Sequence, residues 1–305
     1  MGMMCASIFT LTYVLAPVYV FTATIALIFR YPSGHIASIY AIPLIISIFT
    51  PARAMPGIVG MLSPMLDYFD FEEIIEEKEA LRKSFDEGKN YIFACQPHGV
   101  ISSCGMCSAV HIEPKYRMIK VAVASSLLKF PILKNVMGIF ALTDASGKNL
   151  KRVLQNPGID GSVIIYVGGM AELFKSCIEE ERLFLSQRKG FIKLSLRQGV
   201  DIIPVYLFGN TSLLSVVKGG PLAKISRKLK ASVTFFWGKY YLPIPRDVKL
   251  LYVAGKAIKI PKIAEPTQED IDKYHKIYVE EVVRLFDTYK ARAGPLYEKK
   301  TLYID

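Results

Sequence analysis

Tryptophan occurs once in this 305-residue chain, histidine four times and cysteine five times, and formal charge is nearly missing from the first 52 residues. Each shortage excludes something. Cys5, Cys95, Cys104, Cys107 and Cys177 are an odd and thinly spread set that does not read as a disulfide framework. A Cys3His zinc set can be drawn from Cys104-x-x-Cys107, His111 and Cys95. On a helix, however, positions 104, 107 and 111 share one face, where small thiols pack, and no metal is expected. There is no G-x-S-x-G elbow, which weighs against a serine hydrolase, and no recognised nucleic-acid motif. An N-myristoylation signal fails at Ala6, where Ser or Thr is needed.

What the start of the chain has instead is apolar length. Between Met1 and Ala52 the sole formal charge is Arg30, and Ile8–Phe29 is 22 residues without one, enough for the ~20 that a bilayer-crossing helix takes. After the turn-forming RYPSGH comes Ile36–Phe49, 14 residues that include Pro43. The pair is expected to form an N-terminal transmembrane helical hairpin over residues 1–52. A re-entrant second limb and a buried helical pair are the alternatives. A cleaved signal peptide fits poorly, because no basic residue precedes the run and it exceeds the usual ~7–15 apolar residues.

The remainder, 53–305, is expected to be one catalytic domain, since single cores stop growing near ~250 to 300 residues. The net charge of +11 follows a membrane segment, which favours a membrane surface or a phosphate-bearing partner over nucleic acid. Strand patterns fall at Tyr91–Cys95, Met118–Ala124, Gly138–Leu142, Ser162–Val167, Asp201–Phe208 and Ser232–Trp237. Helical patterns fall at Phe71–Lys89, Ser126–Met137, Lys148–Gln155 and Gly190–Gln198, with a long amphipathic helix between Pro266 and Gly294. Alternation of the two predicts an α/β fold with a largely parallel central sheet flanked by helices.

In such sheets ligands gather where strands end. His98 stands at one such exit, in Pro97-His98-Gly99 after an apolar run, and Gly168-Gly169 stand at another, followed by Glu172. A neutral imidazole can take a proton from a hydroxyl while that oxygen attacks a carbonyl. Glu172 is a candidate to orient the ring or hold a proton. Arg188-Lys189, ahead of Gly190, offer cations for phosphates beside a helix start, and Asn210 follows a strand as a candidate substrate contact.

The blocks YIFACQPHGV, VIIYVGGMAELF, RKGFIKLSLRQGVDIIPVYLFGN and IKIPKIAEPTQEDIDKYHKIYVEEVVRLFDTYK stand in this order in the chain. Together they resemble the type-2 diacylglycerol acyltransferase family, which also contains monoacylglycerol acyltransferases and wax synthases. The resemblance runs from about Ala52 to Tyr297. It implies a glycerolipid acyltransferase-like fold and transfer of a fatty acyl group from acyl-CoA, a co-substrate, to the hydroxyl of a neutral lipid. Diacylglycerol comes first, and monoacylglycerol or a long-chain alcohol are the alternatives. It also implies residence in the endoplasmic reticulum membrane with the catalytic domain in the cytosol, and the lipid droplet as a further destination. No cofactor is implied, and assembly into a homo-oligomer stays open. The family's His-Pro-His-Gly motif falls on Gln96-Pro97-His98-Gly99, so Gln96 cannot be a base and His98 is left as the one available. Ser103 occupies the place of the acid in the His-x-x-x-x-Asp motif of wider glycerolipid acyltransferases. Glu172, in the Gly-Gly-x-x-Glu block, then becomes the supporting carboxylate. Backbone N–H groups around Gly99 or Gly168-Gly169 are the expected oxyanion donors. A catalytically silent lipid-binding protein is the remoter alternative.

Overall fold

The computed structural model describes residues 1–169, 172, 180–217 and 235–305. Eleven strands are defined among them: β1 Glu72–Ile75, β2 Tyr91–Gln96, β3 Lys120–Val123, β4 Leu142–Asp144, β5 Val163–Tyr166, β6 Glu181–Leu183, β7 Asp201–Phe208, β8 Ser215–Val216, β9 Phe236–Trp237, β10 Leu251–Ala254 and β11 Leu302–Ile304. Seven form the central sheet in the order β1-β10-β7-β2-β5-β3-β4. The five from β7 to β4 are parallel; β10 pairs antiparallel with β7, and β1 runs parallel to β10.

β2 and β7 are buried on both faces, and their alternate side chains divide the core in two. Phe93, Cys95, Ile203, Val205 and Leu207 join one layer. Ile92, Ala94, Ile202, Tyr206 and Phe208 join the other, with Tyr278, Val282, Leu285 and Phe286 of the long helix Gln268–Tyr289. Thr267 caps that helix through a capping box with Asp270. Pro204 is tolerated inside β7 because its side of the strand faces β10, whose ladder stops at Val205.

Three expectations are corrected. Phe71–Lys89 is not one helix: Glu72–Ile75 is strand β1, drawn into register with Leu251–Ala254, and the helix is confined to Lys78–Asp86. Ser126–Met137 is two short helices, Ser125–Lys129 and Leu133–Gly138, divided at Pro131. Gly138–Leu142 holds the end of that second helix and a turn with Ala141 at φ +56°, and β4 begins only at Leu142. β10 is a strand that no pattern in the sequence singles out. Of the predicted strand Ser232–Trp237, residues 232–234 lie outside the described residues, and the rest contains β9.

Helix α1 (Gly2–Phe29) is the one helix among the described residues long and apolar enough to cross a membrane; α2 (Gly34–Phe49) is shorter. The two pack together, with the Tyr19 hydroxyl donating to the Tyr40 carbonyl at 2.7 Å. Ala23, Ala37 and Ala41 are buried, as close helix approach requires. The start of α1 belongs to the domain core. Ala6 and Phe9 are buried there, and the Phe9 ring meets Phe140 at 5.4 Å. The foot of α2 is fastened as well: Ser47 bonds Asn135 and the Ile132 N–H, and Lys134 donates to the Ile48 carbonyl at 3.2 Å. Both limbs are thereby locked to the sheet domain.

Candidate active site

β2 ends at Gln96, and Pro97-His98-Gly99 turn the chain over the C-terminal edge of the parallel strands. Gly99 adopts φ +63°, and a Cβ there would lie 2.7 Å from the Asn210 carbonyl oxygen, so conformation and space both demand glycine. Asn210 follows β7, the neighbour of β2. Its Nδ2 donates to the carbonyls of Pro97 (3.1 Å) and His98, and its Oδ1 accepts from Cys104 N–H at 3.1 Å. Asn210 is buried, and its amide clamps the histidine turn to the start of helix Ser103–His111.

Behind the clamp lies a buried ion pair that the sequence did not reveal. Glu181 accepts from Lys300 (3.2 Å), Tyr297 (3.0 Å) and Thr211 (2.7 Å), and the Tyr297 hydroxyl accepts from Gly209 N–H at 2.9 Å. The C-terminal segment is thus tied to the residues on either side of Asn210.

The His98 Nδ1 lies 2.8 Å from the Gly99 carbonyl oxygen. A carbonyl oxygen only accepts, so Nδ1 carries the ring proton and Nε2 keeps its lone pair. The ring stands edge-on to Tyr166, with centroids 4.7 Å apart. Burial lowers the His98 pKa, so the imidazole is neutral near pH 7.

Glu172 is fully buried, and its Oε2 accepts from the His98 main-chain N–H at 3.0 Å. The carboxylate therefore holds the backbone of the histidine turn, and the ring takes its orientation from Gly99. Burial pushes the Glu172 pKa up to about 7; the N–H groups of His98 and Phe184 oppose this, Glu181 adds to it, and Arg188 opposes it. A Cβ on Gly168 would stand 1.9 Å from the Glu172 carboxyl carbon, so only glycine fits there, while Gly169 adopts φ +59°.

Gln96 faces the other layer. Its Oε1 accepts from the Tyr278 hydroxyl, and its buried Nε2 has no hydrogen-bond partner among the described residues. The Arg188 guanidinium donates to the Gly168 carbonyl at 3.3 Å and lies over the Phe184 ring, while its buried Nε has no hydrogen-bond partner among the described residues. Lys189 pairs with Asp272 at 2.7 Å. Seven of the predicted residues (Gln96, His98, Gly99, Gly168, Gly169, Glu172 and Asn210) thus gather around the exits of three neighbouring strands, β5, β2 and β7. Arg188 joins them as a brace, and Lys189 does not. Cys95, Cys104 and Cys107 are buried in an apolar layer, where burial pushes their thiols up; Met170, Ala171, Lys175 and Cys177 lie outside the described residues.

A family model described as diacylglycerol acyltransferase matches residues 26–304. The chain is 35% identical over 242 residues to diacylglycerol O-acyltransferase 2 of Dictyostelium discoideum, across 73% of this chain and 71% of that protein. It is 31% identical over 236 residues to the Homo sapiens protein of the same name, across 71% of this chain and 61% of that one. Among solved structures, the 1-acyl-sn-glycerophosphate acyltransferase of Thermotoga maritima is similar at 13% identity and a TM-score of 0.43, over 93% of this chain and 96% of that one. The matched range takes in the histidine turn, the glycine turn and the Asn210 clamp, and the chain belongs to the diacylglycerol acyltransferase family.

Proposed function

We propose that this chain moves a fatty acyl group from acyl-CoA to the free hydroxyl of diacylglycerol, forming triacylglycerol. The observation that carries the reading is the His98 ring: Nδ1–H is committed to Gly99, which leaves Nε2 as a neutral base at the strand edge. Nε2 takes the acceptor's hydroxyl proton as that oxygen attacks the thioester carbonyl carbon. The resulting oxyanion is held by main-chain N–H groups around Gly99 or Gly168-Gly169, each donor being worth ~3 kcal/mol. Collapse breaks the carbon–sulfur bond, and the departing thiolate recovers the proton from the imidazolium, so ester and free CoA thiol are formed. Glu172, Asn210 and Arg188 keep the two turns in place through main-chain contacts.

The acceptor is a neutral lipid. The cation that adjoins the glycine turn among the described residues is Arg188, and its guanidinium is engaged by the Gly168 carbonyl. Monoacylglycerol and long-chain alcohols are the second reading, because a pocket for one apolar alcohol rejects another by only ~1 to 3 kcal/mol per methylene-sized difference. α1 and α2 enter the endoplasmic reticulum membrane from the cytosolic side as a hairpin, and their fastening at Phe9 and Ser47 sets the attitude of the domain to the bilayer. The test is one labelled acyl-CoA offered to purified protein with diacylglycerol, monoacylglycerol, fatty alcohol and lysophosphatidate in parallel. Triacylglycerol is the expected main product, and preferred acylation of lysophosphatidate overturns the reading.

A further inference from the structure

The helices Gly147–Val153 and Gly190–Gln198 both cover β5 on the face opposite to Tyr166, and a groove of about 720 Å³ lies along them. Its floor is apolar, made by Leu150, Ile165, Phe191 and Leu194. Its walls carry Lys151, Lys193 and Arg197, all exposed, and no lining residue is acidic. Lys189, just outside, has Asp272; none of the three groove cations has an ion pair among the described residues. Lys193 and Arg197 are also four apart on one helix, a like-charge pair that costs helix stability. Three uncompensated cations around an apolar floor suit an anion with a flat apolar body.

The groove begins at the catalytic edge. Gly190 follows Arg188, whose guanidinium bonds Gly168, and Gly147 follows the end of β4, so both helices start at the edge that carries His98. We infer that this groove holds the phosphorylated nucleotide end of acyl-CoA, with the adenine on the apolar floor and the phosphates against Lys151, Lys193 and Arg197. The acyl thioester then reaches past the glycine turn to His98. The phosphate site lies one to two turns inside the helix rather than at Arg188-Lys189. This inference rests on acyl-CoA being the donor.

An anionic lipid headgroup offers similar phosphate chemistry, so the test separates the two. Full-length protein in micelles, and its Lys151→Gln, Lys193→Gln, Arg197→Gln triple variant, are compared for binding of adenosine 3′,5′-bisphosphate by equilibrium dialysis. Turnover is compared with acyl-CoA and with acyl-pantetheine, which lacks the nucleotide. The variant should bind the bisphosphate at least about tenfold more weakly. Its KM for acyl-CoA should rise by a similar factor with kcat within about twofold, and acyl-pantetheine turnover should be the same in both. Equal bisphosphate binding overturns the inference, as does a variant that keeps the bisphosphate but loses binding to phosphatidylserine vesicles. If the parent binds the bisphosphate and acylates nothing, the proposed function fails and the groove assignment stands.

Discussion

Asn210→Ala isolates the clamp from the base it holds. The substitution removes two bonds to the carbonyls of Pro97 and His98 and one from Cys104 N–H, and the site is buried. At ~1 kcal/mol net for each bond, the loss is ~3 kcal/mol, and more if the stranded main-chain groups find no water. For a chain of this size that lowers Tm by roughly 6 °C, at ~2 °C per kcal/mol. The consequence for turnover follows from geometry. The clamp fixes the carbonyl side of His98, and a displacement of about 1 Å at a reacting group costs on the order of 10²-fold. The assay is acyl transfer with saturating acyl-CoA beside thermal unfolding in the same detergent. The effect should fall on kcat more than on KM. Asn210→Asp keeps an acceptor for Cys104 but turns an oxygen toward two carbonyls, and should rescue neither stability nor rate. An Asn210→Ala protein with parental Tm and kcat would refute the clamp.

Glu172 keeps its proton to about pH 7 in the fold, against an ordinary 4.5. Between those values the folded state binds more protons than the unfolded, so this group's contribution falls as pH rises, by ~3 kcal/mol in all. Glu172→Gln abolishes that slope, and the variant-minus-parent stability measured by denaturant unfolding should climb by ~3 kcal/mol from pH 4.5 to about pH 8; a flat difference contradicts the burial argument. His98 has a lowered pKa, so it stays a base below the ordinary histidine range, and the acid limb of kcat/KM should fall below about pH 6.5. Gln96→Ala leaves the buried Tyr278 hydroxyl only its longer bond to the Ala94 carbonyl at 3.4 Å and should cost ~1 to 2 kcal/mol, whereas Gln96→His keeps a ring nitrogen to accept from it and should cost less in the same unfolding assay.

The sequence pattern was most informative where local chemistry decides the outcome. β7 and the helix Gly190–Gln198 fall on their predicted bounds, because an unbroken apolar strand and a helix closed by Gly199 in the left-handed region carry their own signals. His98-Gly99 and Gly168-Gly169 were legible for the same reason, as turn residues at strand exits. β1 was hidden because Glu72-Glu73-Ile74-Ile75 sits in a run with helical spacing, and only pairing with the distant β10 makes it a strand. β10, four residues long, carries too short an apolar run to stand out. The orientations of Glu172 and Arg188 toward main-chain atoms were illegible too. Sequence gives a residue's chemistry, whereas which atom it reaches depends on turns that the sheet brings together, His98 for Glu172 and Gly168 for Arg188.

His98 is the point on which the account turns, and one variant tests it. Purified His98→Ala, with labelled acyl-CoA and diacylglycerol, should form triacylglycerol 10² to 10⁴-fold more slowly, the range typical of a lost general base. Its unfolding should stay close to the parent's, because among the described residues the ring hydrogen-bonds only to the adjacent Gly99. Triacylglycerol formation within about threefold of the parent, in protein of unchanged stability, would contradict the assignment of His98 as the base.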